Sequence, residues 1–205
     1  IIMKAKRLLM FFLVILAVSV FAYFYPSSTG NAIKQTYEKE DAVLIRVIDG
    51  DTIEVRLQGS PEKQTIRMLG INTPEKNMPF SNESKSFLRE FENSSIQILR
   101  DKEDTDKYKR KLRYVFYSDR FLNLEILENG FANAYYTSGL RYEEEMLNAE
   151  EQARNSQVGV WTKSEDECST CIVLRELNAT SEFFIIKNDC DFSCNLNGWF
   201  VKDAG

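Results

Sequence analysis

The middle of this chain predicts an α+β domain, a small closed β-barrel with helices packed against it. Three observations carry that reading. Residues 42–69 hold three strand-like runs separated by short turns. Two more strand-like runs follow at 95–99 and 112–117, and three helical patterns lie between and after them. A sheet of that size must bury one face, and closing it on itself under helices does so compactly.

The elements follow in order. Residues 42–49 (AVLIRVID) are apolar and β-branched, which favours a strand. Asp49-Gly50 is a tight-turn pair. Residues 52–57 (TIEVRL) alternate apolar and charged, as a half-buried strand does. Gly59-Ser60-Pro61-Glu62 turns the chain, and residues 64–69 (QTIRML) alternate again, giving a three-stranded meander. Asn72-Thr73-Pro74 breaks the pattern. Residues 84–91 read as a helix with Phe87, Leu88 and Phe91 on one face. The strands at 95–99 and 112–117 extend the meander to five. Residues 121–128 form a short helix stopped at Gly130. Residues 141–153 form a stronger one, with Met146, Ala149 and Ala153 inward, and residues 158–161 close the domain as an apolar plug.

Composition narrows the chemistry. The 205 residues carry 26 Lys and Arg against 31 Asp and Glu, a net charge of -5, and no histidine. Ser-His-Asp hydrolysis, Cys-His catalysis and His-ligated zinc are therefore excluded. The acidic total argues against a generic basic coat for nucleic acid, while leaving room for a local basic cleft.

Lys4, Lys6 and Arg7 precede an apolar run at 8–25 in which only Ser19 is strongly polar. A membrane span needs roughly 20 such residues, with about 17 as the lower limit. A basic flank ahead of it favours an external remainder. A secretory signal has the same order of parts, with Val20-Phe21-Ala22 as a candidate cleavage site. Cleaved signal and retained anchor both stay open, and either makes the protein extracellular: secreted, or held on the outer face of the cytoplasmic membrane. Residues 1–31 are read as this segment plus a linker, 32–162 as the barrel domain and 163–205 as a second unit.

The polar residues of the barrel suggest one rim. Asp51 follows the first turn, Arg67 lies on the third strand, Asn72, Thr73 and Glu75 sit in the loop after it, and Arg110 falls in the basic run Lys107-Tyr108-Lys109-Arg110-Lys111. Two Arg, an Asp and a Glu converging there suit phosphodiester hydrolysis. A hard cation would take oxygen ligands from Asp51 and neighbouring carbonyls. The guanidiniums would pair with phosphate oxygens, and Glu75 would orient or deprotonate water.

Taken together, Val47-Ile48-Asp49-Gly50-Asp51-Thr52, then Ile66-Arg67-Met68-Leu69-Gly70-Ile71-Asn72-Thr73-Pro74-Glu75, then Thr105-Asp106-Lys107-Tyr108-Lys109-Arg110 resemble the staphylococcal-nuclease-like (thermonuclease) family. The resemblance extends over about residues 40–162, with Asn129-Gly130-Phe131-Ala132 and Gly159-Val160-Trp161 included. It implies a five-stranded OB-fold barrel with three helices and Ca2+-dependent cleavage of single-stranded DNA and RNA to 3′-phosphate products. By position, Asp51 resembles the calcium aspartate, and Thr73 the residue that gives its backbone carbonyl to the metal. Glu75 resembles the residue that activates water, and Arg67 and Arg110 the pair on the scissile phosphate. Lys107 and Tyr108 fall where substrate would lie, and Tyr135 and Tyr136 sit near the family's base-stacking tyrosines, where they would either stack bases or simply pack against the barrel. Asn72 departs from the family pattern, which has a second metal-binding aspartate there, so weaker calcium binding is expected. That departure also keeps open a second reading, a non-catalytic OB-fold nucleic-acid-binding module.

All four cysteines, Cys168, Cys171, Cys190 and Cys194, lie in the tail. Their C-x2-C and C-x3-C spacing admits a zinc site with four thiolates. Export favours disulfides, with a pairing that spacing does not reveal. Runs at 172–178, 182–188 and 196–203 alternate as strands and resemble the opening of the lamin-tail family, an immunoglobulin-like sandwich. That sandwich needs about 100 residues. The tail is therefore expected to be a partial β unit, either belonging to a longer protein or leaning on the barrel. N-glycosylation triplets begin at Asn82, Asn93 and Asn178.

Overall fold

Alternating side chains decide which strand face turns inward. In β1 (Lys39–Asp49) the buried residues are Ala42, Leu44 and Val47. In β2 (Thr52–Leu57) they include Ile53 and Val55, and in β3 (Lys63–Met68) Ile66 and Met68. After the short β4 (Ile71–Asn72) and helix α1 (Ser81–Arg89), β5 (Ser95–Thr105) adds Ile96, Ile98 and Leu99, and β6 (Lys111–Tyr117) adds Tyr114, Val115 and Phe116. The computed structural model describes residues 37–135, 139–178 and 180–199. The predicted export segment and Tyr136 lie outside the described residues.

The strands run in the order β3-β2-β1-β5-β6, antiparallel throughout. The barrel closes where β3 pairs in parallel with β6, Arg67 opposite Leu112. This corrects the five-stranded meander expected from sequence. Parallel neighbours need a long connection, and here the chain leaves β3, passes through α1 and re-enters beside β1. Register shifts after Leu44 and after Val47 bend β1 around the core.

Two further helices, α2 (Leu122–Glu128) and α3 (Glu143–Asn155), cover the barrel through Leu122, Ile126 and Leu127, and through Met146, Ala149 and Ala153. Two-residue strands β7 (Arg120–Phe121) and β8 (Asn133–Ala134) pair with β6 and β4. They were not legible because two residues carry no period. Asn123, fully buried, donates from Nδ2 to the Leu69 carbonyl at 2.8 Å and accepts from the Val115 amide at 2.9 Å, tying α2 to the barrel.

Three local expectations change. Helix α1 begins at Ser81, three residues before the predicted start. The segment 158–161 is not a buried plug: none of Gly159–Trp161 is buried, and Val158 is exposed. Closure there comes from backbone. The Val160 amide bonds the Gly130 carbonyl at 2.8 Å, and a Cβ on Gly159 would stand 2.1 Å from that oxygen. Finally, β5 continues past Leu99 to Thr105 through polar residues, because a register shift between Arg100 and Thr105 lets this lip stay paired with β6.

Asp104 anchors that lip. It accepts from Arg113 Nη2 at 2.8 Å and from Lys111 Nζ. The Lys111 bond, opposed by burial and reinforced by Arg113, holds its carboxyl down to about 2. A depressed folded value means the contact stabilises above about pH 4 and is lost as pH falls toward 2. Asp104→Asn is expected to lower the melting temperature at pH 6, at a cost of about 1 kcal/mol or less, and to match wild type near pH 2. Parallel melting curves that never converge would remove this role.

In the tail, a 3-10 turn (Glu167–Thr170) leads into hairpin strands β9 (Ile172–Asn178) and β10 (Phe183–Asn188). Disulfides join Cys168 to Cys194 and Cys171 to Cys190. The third alternating run does not start as a strand. Asn197-Gly198 makes a turn, with Gly198 at φ +86° and the Trp199 amide bonded to the Leu196 carbonyl. Every residue of β10 is exposed, so among the described residues the tail is a cross-linked hairpin and not a sandwich.

Candidate active site

One end of the barrel carries a cleft of about 940 Å³. Asp51, Arg67, Asn72, Thr73, Glu75, Lys107, Tyr108, Arg110 and Tyr135 all line it, so the structure brings together every predicted barrel-site residue except Tyr136, which is not described.

Asp51 sits in the β1–β2 turn and is 8% exposed. Its Oδ1 accepts from Thr52 Oγ1 at 2.9 Å. Its Oδ2 accepts from the Thr73 amide at 3.3 Å and Thr73 Oγ1 at 3.2 Å. Thr73 is in turn packed against Gly50: a Cβ there would lie 2.8 Å from Thr73 Oγ1 and 2.7 Å from Ser84 Cβ. The glycine of the Asp-Gly-Asp turn therefore lets three chain segments meet at the carboxylate.

Arg67, on β3 opposite Thr52, is almost fully engaged by the protein. Nη1 donates to the carbonyls of Met68 at 2.9 Å and Ile71 at 2.8 Å. Nη2 lies 3.0 Å from Asp51 Oδ2 and 3.3 Å from Asn72 Oδ1. Among the described residues only Nε lacks a partner, so most of the guanidinium is already engaged within the protein. Burial pushes the Arg67 guanidinium below its ordinary value; Asp51 opposes this, and the like charge of Arg110 adds to it.

Arg110 differs. Nε donates to Asp106 Oδ2 at 2.6 Å and Nη1 approaches Thr52 Oγ1 at 3.4 Å, so among the described residues Nη2 has no hydrogen-bond partner, and the side chain lines the cleft. Asp106 Oδ1 also accepts the amides of Tyr108 and Arg110, both at 2.9 Å. Burial raises the Asp106 carboxyl, but the Arg110 bonds outweigh it and leave it below the usual value. Sequence reasoning gave Asp106 no role, although an Asp bonding the amide two residues on is a recognisable turn signal. It also missed the lip residues Asp101, Lys102 and Glu103, which line the cleft because β5 runs longer than its apolar pattern.

Glu75 is exposed on the loop after β4; its carbonyl accepts from the Met78 amide at 2.9 Å, and its side chain has no hydrogen-bond or ion-pair partner among the described residues. Tyr108 is 68% and Tyr135 44% exposed at the mouth, with the Arg110 guanidinium 5.4 Å from the Tyr108 ring. Two aromatic faces, a basic edge and an unpaired carboxylate thus share one opening.

The oxygens of Asp51 and Asn72 converge on a single cationic nitrogen, Arg67 Nη2. They are hard donors of the kind that Ca2+ or Mg2+ takes. The donor set therefore fits a hard cation, with one carboxylate and one amide where two carboxylates would bind more strongly.

Residues 65–163 match the family described as staphylococcal nuclease homologue. The chain is 33% identical over 147 residues to the Thermonuclease of Staphylococcus hyicus, covering 68% of this chain and 83% of that protein. It is 30% identical over 132 residues to the Thermonuclease of Staphylococcus intermedius, covering 60% and 77%. Over 137 residues it is 32% identical to the SPbeta prophage-derived endonuclease YokF of Bacillus subtilis, covering 62% of this chain and 46% of that protein. With a barrel closed by the β3–β6 pairing, three helices beside it and acidic and guanidinium groups gathered in one cleft, a match over most of such a relative makes this chain a member of the staphylococcal nuclease family.

Proposed function

We propose that the chain is an exported, calcium-dependent nuclease that hydrolyses single-stranded DNA and RNA to 3′-phosphate and 5′-hydroxyl ends. The observation that supports this best is the meeting of Asp51, Arg67, Glu75 and Arg110 in one cleft. A pure binder has no need of an unpaired carboxylate beside the phosphate.

Single strands dock by stacking bases on Tyr108 and Tyr135, while Lys107 attracts the backbone. Arg110 donates to phosphate oxygens through Nη2, and Arg67 contributes its Nε. Glu75 removes a proton from water as the water oxygen bonds to phosphorus. The bond from phosphorus to the 5′ oxygen breaks, and that oxygen leaves as a hydroxyl after gaining a proton. The guanidiniums matter most as charge grows on the phosphate oxygens. Asp51, Asn72 and the Thr73 carbonyl would hold the cation, which supplies further positive charge at the phosphate when bound.

The test is digestion of denatured DNA by the whole chain with calcium or with chelator. Cleavage with calcium and none with chelator is expected. Asn72→Asp is expected to half-saturate at roughly tenfold lower calcium, since it restores a ligand charge. Asn72 is also what favours the binding-module reading, because its amide oxygen is spent on Arg67. Retention of DNA without cleavage at any calcium concentration makes that reading the right one.

Export is supported by Lys4, Lys6 and Arg7 ahead of the apolar run, and by the paired cysteines of the tail. Protease added to intact cells is expected to digest the barrel; protection until lysis would refute export.

A further inference from the structure

The tail knot joins two short cysteine pairs face to face. One pair, Cys168 and Cys171, lies within and just after the 3-10 turn, and the other, Cys190 and Cys194, follows β10. Neither disulfide stays within a pair: Cys168 reaches Cys194 with Cα atoms 5.7 Å apart, and Cys171 reaches Cys190 at 5.1 Å. The two disulfides also touch, with Cys190 Sγ 3.3 Å from Cys194 Sγ. The sulfurs of Cys171, Cys190 and Cys194 all lie within 4.8 Å of one another, and Cys168 is bonded to one of them. Four sulfurs therefore occupy one small volume, two from each side of a hairpin.

That is the donor arrangement of a closed structural zinc site. Zinc binds four thiolates tetrahedrally at about 2.3 Å, which sets sulfurs about 3.8 Å apart, and its ligand pairs are typically spaced C-x2–4-C. Both pairs here have that spacing. Moving bonded sulfurs out to such separations asks for small side-chain rotations, and the Asp189 amide bonded to the Cys171 carbonyl at 2.9 Å keeps the two sides together. The hairpin also needs a staple in either redox state, because every residue of β10 is exposed and a unit this small buries little apolar surface.

We propose that these four cysteines form a second, redox-alternative metal site: in the reduced chain Cys168, Cys171, Cys190 and Cys194 bind one Zn2+. The chemistry balances with a dithiol as reductant. Each disulfide takes two electrons and two protons from one dithiol, which becomes its own disulfide. The four thiols then release four protons as zinc binds, leaving a centre of charge -2. Oxidation by a disulfide of higher potential ejects the zinc and remakes the cross-links.

The barrel contains no cysteine, so the whole chain can be tested with an unambiguous signal. The chain is reduced with a dithiol, desalted without oxygen and titrated with Co2+. Expected are tetrahedral d–d bands with sulfur-to-cobalt charge transfer, saturating at one cobalt per chain and abolished by one equivalent of zinc. Zinc should also protect all four thiols from alkylation, and the oxidised chain should give no bands. Cys171→Ser should shift the bands and weaken binding without changing the melting of the barrel. No tetrahedral cobalt signal, or four thiols alkylated equally fast with and without zinc, overturns the proposal.

Discussion

Glu75→Gln is expected to cut phosphodiester cleavage by about 10²–10⁴-fold, the range a positioned general base contributes, with no change in melting temperature. The geometry separates the two readouts. The Glu75 side chain is exposed on a loop and bonds nothing among the described residues, so the fold loses no contact when its charge goes. What disappears is a cleft carboxylate whose side chain has no hydrogen-bond or ion-pair partner among the described residues. An amide keeps the shape and hydrogen-bonding reach but cannot accept a proton from water. Single-turnover cleavage of denatured DNA, beside DNA affinity measured under chelation, isolates the chemical step. Wild-type cleavage by the variant would mean that another group, or solvent, takes the proton.

The second large effect contrasts the two arginines. Arg110→Lys and Arg67→Lys should both slow cleavage, by roughly 10²–10³-fold if each guanidinium acts on developing charge as an oxyanion donor does. Their stabilities should diverge. Arg110 is held by Asp106 and Thr52 at the surface of a turn, and its loss leaves those groups near solvent. Arg67 satisfies two backbone carbonyls, Asn72 and the buried Asp51 at once. An ammonium cannot reproduce that fork, and a buried carboxylate left short of its partner costs about 2–3 kcal/mol. Arg67→Lys should therefore melt well below Arg110→Lys. Equal melting temperatures would show that the Asp51–Arg67 pair contributes nothing net to the fold.

The strand and helix content was legible where apolar residues kept a period. Leu44, Ile53, Val55, Ile66 and Ile98 announced the inner barrel face, and Met146, Ala149 and Ala153 the buried stripe of α3. The route of the chain was not legible, because pairing partners leave no mark in a single strand. The short β4 and β8, and the polar end of β5, carried no period to read. At the site, the identities of Asp51, Arg67, Glu75 and Arg110 came from motif order. Their division of labour did not: the saturation of Arg67 depends on carbonyls at Met68 and Ile71, and backbone oxygens have no letter in a sequence. Asp106 was overlooked because a turn-forming Asp in a basic run reads as punctuation, yet it sets the direction of Arg110.

The parallel pairing of β3 with β6 has a consequence in time. Arg67 lies on one side of that seam, and Arg110 immediately precedes the strand on the other. Contacts between distant parts of a chain form late, since the loop between them must be closed first. A nascent chain has already displayed Asp51, Arg67 and Glu75 before residues 111–117 exist to bring Arg110 beside them. The two arginines of the cleft thus come together only once β6 has been made and paired with β3.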